Sequence, residues 1–122
     1  MDKKNNYNKP LKKALGLLNS KYKIEIIFNL RTQKMRFGQI KNNIETITQQ
    51  LLSKQLKEME QDNLIIRKQF EGFPRKVEYS LTPFGHSLKP LINLIIRWEN
   101  NNSNILKKLI KKKQLDTLFD YY

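Results

Sequence analysis

The stretch QFEGFPRKVEYSLTPFG, residues 69–85, is the feature that most constrains how this chain folds. Leu64 to Phe70 is predicted as one strand, and the alternation of apolar and polar residues from Val77 to Leu81 indicates a second. Gly72 and Pro74 supply the turn chemistry between the two strands. The stretch therefore predicts a β-hairpin.

Positive charge and a helix start flank the predicted turn. Arg75 and Lys76 are adjacent cations at the expected tip of the hairpin. Thr82 is followed by a proline, which is the pattern of an N-cap with proline at the first helical position. The apolar spacing then predicts one helix over Pro83 to Trp98. The polar run over residues 100–104 either kinks or interrupts it before a last amphipathic segment.

The chain before the hairpin carries the apolar spacing of successive helices. Residues 10–19 predict a short amphipathic helix that begins at Pro10. Ser20 can cap a second helix over Lys21 to Arg31, whose wide apolar arc indicates a central core helix. Met35 to Phe37 predict an extended connection to a small third helix. The apolar arc of the second helix contains Ile24, Ile26, Ile27, Phe28 and Leu30.

A fourth predicted helix has one apolar and one polar face. Thr48 is a good N-cap and Thr46 is the competing choice, while Asp62 and Asn63 end the helix. Its buried stripe is predicted to contain Leu52, Leu56 and Met59, with Leu51 alongside. Its polar face carries Gln49, Gln50, Ser53, Lys54 and Lys57.

The composition narrows the classes of function. Among 122 residues, 24 lysines and arginines oppose 11 acids, which gives a net charge of +13. This excess favours a polyanionic partner, either nucleic acid or an anionic membrane surface, although a bias toward Lys, Asn and Ile is the alternative source. There is no cysteine, so disulfides, thiolate metal sites, cysteine nucleophiles and thiol redox sensing are excluded.

No catalytic, metal or membrane motif is recognisable. There is no Ser-x-Gly elbow, no phosphate-binding glycine loop and no pair of carboxylates in an apolar setting, so no enzyme activity is expected. His86 is the only histidine and has no partners at ligand spacing, so no metal or cofactor is expected. No apolar run approaches the ~20 residues that span a bilayer, and a cytoplasmic protein is predicted.

The order of the predicted elements indicates a winged helix-turn-helix, a mainly α fold with a small β-hairpin wing. A helix fits the major groove of DNA, and its N-terminal half meets the base edges. Gln49 and Gln50 can pair bidentately with adenine, whereas lysines suit guanine edges or phosphates. The hairpin would lie over the adjacent minor groove or backbone. The predicted DNA contacts are Thr48, Gln49, Gln50, Ser53, Lys54 and Lys57 on the helix, and Arg36, Arg75 and Lys76 at the wing and its flank.

Several stretches of the chain also carry a family resemblance: LNSKYKIEIIFNL, MRFGQIKNNI, ITQQLLSKQLKEMEQDNLI and PRKVEYSLTPFGHSL. Together they resemble the HxlR-type bacterial winged-helix regulators over roughly residues 10–100. The resemblance implies a recognition helix near 48–61, a wing near 70–77, a two-fold dimer and, by family habit, repression. Tyr22 stands where the family often has tryptophan. The sensing cysteine of many members is missing, which leaves open whether a small-molecule effector acts instead.

The last predicted helices have more apolar surface than so small a core can cover. We expect them to pack against a second copy as a C2 homodimer that binds an inverted repeat, with folding back on their own core as the alternative. A single domain is predicted over 1–122, with a DNA-binding core at 20–82 and dimerisation helices at 10–19 and 83–119. The competing function is a non-catalytic basic module that contacts an acidic protein or an anionic membrane surface. The predicted interface residues are Leu11, Leu15, Leu88, Leu91, Ile92, Ile95, Trp98, Leu106, Leu109 and Ile110.

Overall fold

The computed structural model describes the backbone of residues 4–120 and the side-chain surroundings of residues 8–114. It divides between Lys89 and Pro90 into two compact units, which are described separately below. The elements in chain order are α1 (Lys4–Leu17), α2 (Lys21–Leu30), α3 (Phe37–Asn43), α4 (Gln49–Gln61), β1 (Ile65–Phe70), β2 (Lys76–Leu81), α5 (Pro83–His86), α6 (Lys89–Asn101) and α7 (Ser103–Asp120). The predicted mainly helical fold with one β-hairpin is confirmed.

The hairpin forms as the sequence predicts. β1 and β2 pair antiparallel, from Ile65 opposite Leu81 to Phe70 opposite Lys76. Lys76 therefore belongs to the strand, and of the two adjacent cations only Arg75 lies in the turn. Gly72 adopts φ +137°, a conformation that side chains rarely tolerate, which explains the glycine at this point of the turn.

The extended connection before α3 joins this small sheet. The Met35 amide donates to the Tyr79 carbonyl at 3.0 Å, and the Tyr79 amide donates back to the Met35 carbonyl at 2.8 Å. This single bridge is antiparallel and attaches the start of α3 to the strand of the wing. The sequence predicts the extended connection but carries no signal for its pairing partner.

The predicted N-caps are present at the starts of α2 and α4. The Ser20 hydroxyl accepts from the Tyr22 amide at 3.2 Å at the start of α2. At the start of α4 the Thr48 hydroxyl accepts from the Leu51 amide at 3.1 Å, so Thr48 is the cap. Thr46 is not the cap, and its hydroxyl lies 3.1 Å from that of Tyr22.

The buried face of α2 differs from the predicted arc. Lys23, Ile26, Ile27 and Leu30 are buried, at the spacing i, i+3, i+4 and i+7 that places them on one side of a helix. Phe28 falls outside this row and is 38% exposed, with the Arg31 guanidinium 3.8 Å from its ring centre. The prediction that Phe28 lies in the core is therefore wrong, because Phe28 lies about 100° round the helix from Ile27, beyond the edge of the buried row.

Buried Lys23 is neutralised by a carboxylate on α4. Its ammonium lies 2.9 Å from Glu58 Oε2, and the lysine side chain is only 3% exposed. The pKa of Glu58 is lowered because Lys23 donates a hydrogen bond to the carboxylate and attracts its negative charge. This ion pair joins α2 to α4 next to the core residues Leu52, Leu56 and Met59, all of which are buried as predicted.

The predicted long helix after Thr82 is interrupted, and the chain is interrupted again at the polar run over residues 100–104. α5 ends at His86 and α6 begins at Lys89, so a helix unbroken over Pro83 to Trp98 is wrong. The Ser87 hydroxyl donates to the Phe84 carbonyl, and Pro90 has no amide hydrogen to continue the ladder to His86. For residues 100–104 the sequence leaves open either a kink or an interruption. The structure shows an interruption, since α6 ends at Asn101 and α7 begins at Ser103.

The first helix also begins earlier than predicted. α1 starts at Lys4 and contains Pro10 in its interior, whereas the sequence predicts a start at Pro10. The residues before Pro10 are polar and carry no apolar spacing, so the pattern does not indicate a helical turn there.

A close junction joins the end of α4 to the end of the hairpin. The Leu64 carbonyl accepts from the Thr82 amide at 3.1 Å and from the Thr82 hydroxyl at 3.2 Å. The same hydroxyl donates to the Asn63 carbonyl at 2.6 Å and accepts from the Gly85 amide at 2.9 Å. A Cβ on Gly85 would lie 2.2 Å from the Leu64 carbonyl oxygen. Only glycine permits this approach, and Asn63 assists it with φ 60°.

Gly85→Ala is expected to destabilise the fold by at least about 2 kcal/mol, because the new methyl group meets backbone that must move. The measurement is the free energy of unfolding in urea, at equal protein concentration for all variants. Gly38→Ala is the matched control, because its Cβ meets nothing within 4 Å and its site is helical. Equal midpoints for the two variants would contradict the close junction.

Glu58→Gln is expected to destabilise the protein at neutral pH and to have less effect in acid. A lowered folded-state pKa means that the stabilisation is complete above the unfolded pKa of about 4.3 and is lost as the pH falls through the folded value. Urea unfolding of both proteins between pH 7 and pH 3 measures this convergence. Glu60→Gln, an exposed change on the same helix, is the control. A difference that stays constant with pH would contradict the role of the ion pair.

Candidate nucleic-acid interface

The first turns of α4 present polar side chains to solvent. Gln49, Gln50 and Ser53 are exposed and, together with the capping Thr48, line a surface depression of about 600 Å³. The opposite face of the helix is buried in the core, so the polar face points outward. The helix start also leaves backbone amides available to an anion. Lys54 and Lys57 are exposed further along the same helix.

The wing has its own groove, and Arg36 contributes to it. Arg36 is exposed at the start of α3, where its backbone amide donates to Gln39 Oε1 at 2.9 Å. The groove measures about 600 Å³ and is lined by two of the three predicted cations of the wing and its flank, Arg36 and Lys76. Arg75 is exposed in the adjoining turn. The remaining lining residues are Phe70, Glu71, Gly72, Phe73, Pro74 and Glu78.

A second groove connects α4 to the hairpin. Its volume is about 330 Å³, and Ser53 and Lys57 of α4 face Arg67 of β1 across it. The other lining residues are Phe37, Leu56, Glu60 and Tyr79. The polar face of α4 therefore adjoins the face of the hairpin that carries Arg67, whereas Lys76, three positions before Tyr79 on β2, points to the other face.

Three features of this surface are missed by reasoning from the sequence. The sequence predicts Arg67 only as part of a strand, although its position next to Lys68 after three apolar residues could have indicated a cationic site. Lys68 covers the Phe70 ring with its ammonium 4.8 Å from the ring centre. Phe73 is fully exposed at the turn, with no periodic pattern around it that could indicate so.

The predicted dimer residues differ in exposure. On α6 and α7, Leu91, Ile95, Trp98, Leu109 and Ile110 are 42–59% exposed, and Leu94 and Ile105, which were not predicted, are 57% and 60% exposed. Leu11 and Leu15 on α1 are exposed as well, Leu88 and Leu106 are half-buried, and Ile92 is 3% exposed. The side chains of residues 115–119, which end the predicted dimerisation segment, lie outside the described ones.

An apolar depression occupies one side of α6. Its volume is about 450 Å³, and Leu94, Ile95 and Trp98 form its apolar walls, with Arg97 and Asn101 at its edge. Within the described part of the chain, no three acidic, histidine or cysteine side chains are grouped to hold a metal ion. No described helix is both long and apolar enough to cross a membrane.

Comparison with known proteins agrees with this geometry. The HxlR-like helix-turn-helix family matches residues 17–107. The HTH-type transcriptional regulator YdzF of Bacillus subtilis, itself uncharacterised, is 42% identical over 90 residues, which cover 73% of this chain and 83% of YdzF. An uncharacterised HTH-type regulator of Halalkalibacterium halodurans is 41% identical over 102 residues, or 83% of this chain and 90% of that protein.

A solved structure shows the same fold. The redox regulator HypR in its reduced form superposes with a TM-score of 0.77 at 32% identity, and the match covers 82% of this chain and 99% of HypR. YdzF and the Halalkalibacterium halodurans relative are named as HTH-type transcriptional regulators, which supports a DNA-binding regulator here. The chain belongs to the HxlR-like helix-turn-helix family.

Proposed function

We propose that this protein is a sequence-specific transcriptional repressor that binds an inverted-repeat operator as a homodimer. The observation that carries the proposal is the groove in which the exposed polar face of α4 adjoins Arg67 of the hairpin, whose turn and second strand also expose Arg75 and Lys76. A helix of this kind enters the major groove, and a hairpin beside it meets the next minor groove or the backbone.

The first turns of α4 supply base recognition in this proposal. Gln49 and Gln50 each offer an amide that pairs with the N6 and N7 edge of adenine. Thr48 and Ser53 are short enough to bond a base edge or a phosphate. Lys54 and Lys57 contact guanine edges or phosphates, and Arg67 extends this cationic row onto the hairpin.

The wing supplies affinity that depends little on sequence. Arg36 and Lys76 line one groove, and Arg75 adjoins it in the turn. Arginine and lysine at such a place bind phosphates or a narrow minor groove, where the negative potential is strongest. These contacts position the protein, whereas α4 determines which sequence is bound.

The exposed apolar residues of α6 and α7 support a dimer. Leu94, Ile95 and Trp98 surround an apolar depression, and Ile105 and Leu109 are exposed on the following helix. Large apolar side chains exposed in this number are a usual mark of a protein interface. A C2 dimer would place two α4 helices on half-sites about one helical turn apart or a multiple of it. Repression follows when such an operator overlaps a promoter.

In this proposal, the signal that controls the protein is not the oxidation of a cysteine thiol. HypR is named as a redox regulator, but this chain has no cysteine that could form a sulfenic acid or a disulfide. Regulation therefore acts through a small-molecule effector or through the concentration of the protein itself.

A basic interaction module is the second candidate, and α7 favours it. Lys107, Lys108, Lys111 and Lys112 are exposed on this helix, outside the surface described above. Such a helix attracts anionic membranes or acidic proteins without any base recognition. The module would bind every DNA duplex weakly and equally.

Fluorescence anisotropy separates the two candidates. We expect tight binding to the DNA upstream of the protein's own gene, and weak binding to a scrambled duplex of equal length, at about 150 mM salt. The slope of the logarithmic affinity against salt should steepen by about 0.9 for each phosphate contacted. Weak and equal binding to both duplexes would refute sequence-specific regulation and favour the basic module.

Residue variants then test the assignment of roles. Gln49→Ala or Gln50→Ala should cost roughly 1–3 kcal/mol on the specific site and little on scrambled DNA. Arg75→Ala or Lys76→Ala should weaken binding to both and flatten the salt slope. Gln61→Ala, at the far end of the same helix, is the control for the glutamine variants. Equal losses on both duplexes for Gln49→Ala and Gln50→Ala would contradict base recognition by α4.

The dimer is tested with Trp98→Ala. Losing a central aromatic residue from both copies at about 2 kcal/mol each should raise the dimer dissociation constant by about a thousandfold. Analytical ultracentrifugation over a concentration series measures this shift. Ile66→Ala, which truncates an exposed residue on β1, is the control. A dimer that is equally stable with Trp98→Ala would contradict an interface on this face of α6.

A further inference from the structure

Phe73 is the most exposed large apolar residue among those described. Its relative exposure is 103%, whereas the other exposed large apolar residues range from 38% to 60%. It occupies the turn between β1 and β2, next to Gly72 and Pro74. A ring in this position removes no apolar area from water and so adds nothing to the stability of the fold.

The turn itself does not require an aromatic residue. Gly72 provides the unusual φ of +137°, and the proline ring restricts φ at position 74. Phe70, only three residues earlier, shows what the fold does with a ring it uses, because it is half-buried and covered by Lys68. Phe73 has neither a covering side chain nor a place in the core.

The surroundings of Phe73 are suited to DNA. Arg36 and Lys76 line the same groove as the ring, together with Glu71 and Glu78, and the exposed Arg75 follows two positions later, so cations outnumber acids around the ring. One fully exposed ring is far smaller than the apolar patch that a protein interface requires. It does match the apolar wedges that minor-groove proteins insert between bases while neighbouring cations hold the phosphates.

We propose that Phe73 is a wedge that enters the minor groove from the wing and partly unstacks one base step. The inference rests on the proposed function, because it needs α4 to place the wing on DNA. Pyrimidine–purine steps unstack most easily, so the wedge adds a preference for a TA or CA/TG step beside the major-groove half-site. Insertion also bends the duplex toward the major groove.

In vitro selection from random duplexes tests this preference without knowledge of the operator. The wild-type protein, Phe73→Ala, Phe73→Leu and the control Phe84→Ala are each used to recover sites. Phe84 is another exposed phenylalanine, 45% exposed on α5, and it lies outside the proposed interface. We expect wild type, Phe73→Leu and Phe84→Ala to enrich a flexible step at one fixed distance from the half-site. Phe73→Ala should recover the same half-site without that step.

Two measurements on the recovered wild-type duplex test the insertion itself. The fluorescence of 2-aminopurine placed at the flexible step should rise on binding wild-type protein and stay unchanged with Phe73→Ala. Energy transfer between the duplex ends should report a bend that is reduced with Phe73→Ala. The affinity of that variant should fall by about tenfold on this duplex, the order by which one recognised base pair discriminates. A duplex with a stiff A-tract at the step should bind both proteins alike.

The outcomes distinguish a failure of the wedge proposal from a failure of the proposed function. If wild-type protein enriches no motif, the proposed function fails and the wedge fails with it. If wild type and Phe73→Ala enrich the same motif with the same flexible step, bend and 2-aminopurine signal, specific DNA binding stands and the wedge is overturned. In that case the exposed ring would be assigned to a protein partner instead.

Discussion

The carbonyl oxygen of Leu64 is the point on which the proposed DNA-facing surface, made of the polar face of α4 and the wing, depends. It accepts from the amide and the hydroxyl of Thr82, and Gly85 approaches it so closely that no Cβ fits between them. These contacts join Leu64, which lies three residues after the end of α4 and directly before β1, to the residue that follows β2. Because backbone hydrogen bonds hold both ends, the helix that presents Gln49 and the hairpin that presents Arg75 share one rigid support. A surface that must match two neighbouring grooves of DNA needs this rigidity.

Burial of a charge gives α4 its orientation. Lys23 lies on the buried face of α2 with its ammonium 2.9 Å from Glu58, and an unpaired charge in that position would be costly. The pair therefore favours the packing in which Glu58 faces α2 and the opposite side of α4 faces solvent. Burial of the apolar stripe Leu52, Leu56 and Met59 favours the same orientation, so the ion pair and the stripe together leave the polar residues near Thr48 exposed.

The DNA-facing surface separates two tasks that recognition needs. In the proposed function, amide side chains on α4 distinguish bases, whereas cations at the wing attract phosphates of any sequence. Phe73 adds a third contribution in our proposal, because an apolar ring responds to how easily a base step opens rather than to its hydrogen-bonding groups. Regulators with similar recognition helices could thus differ in their preferred sites through one residue of the wing.

The sequence by itself determined the features that depend on a few neighbouring residues. These features are the caps at Ser20 and Thr48, the turn at Gly72 and the polar face of α4. Each is local, because a cap, a turn or a helical face depends only on residues within about one or two helical turns along the sequence. Only the tertiary structure decided that Lys23 is buried while Phe28 is exposed, and that Arg36 lines the groove of the wing and Arg67 the groove beside α4. The pairing partner of Met35 and the close approach of Gly85 to Leu64 also belong to this second group. The physical reason is that burial and pairing depend on which distant segment covers a residue, and that information is spread over the whole chain.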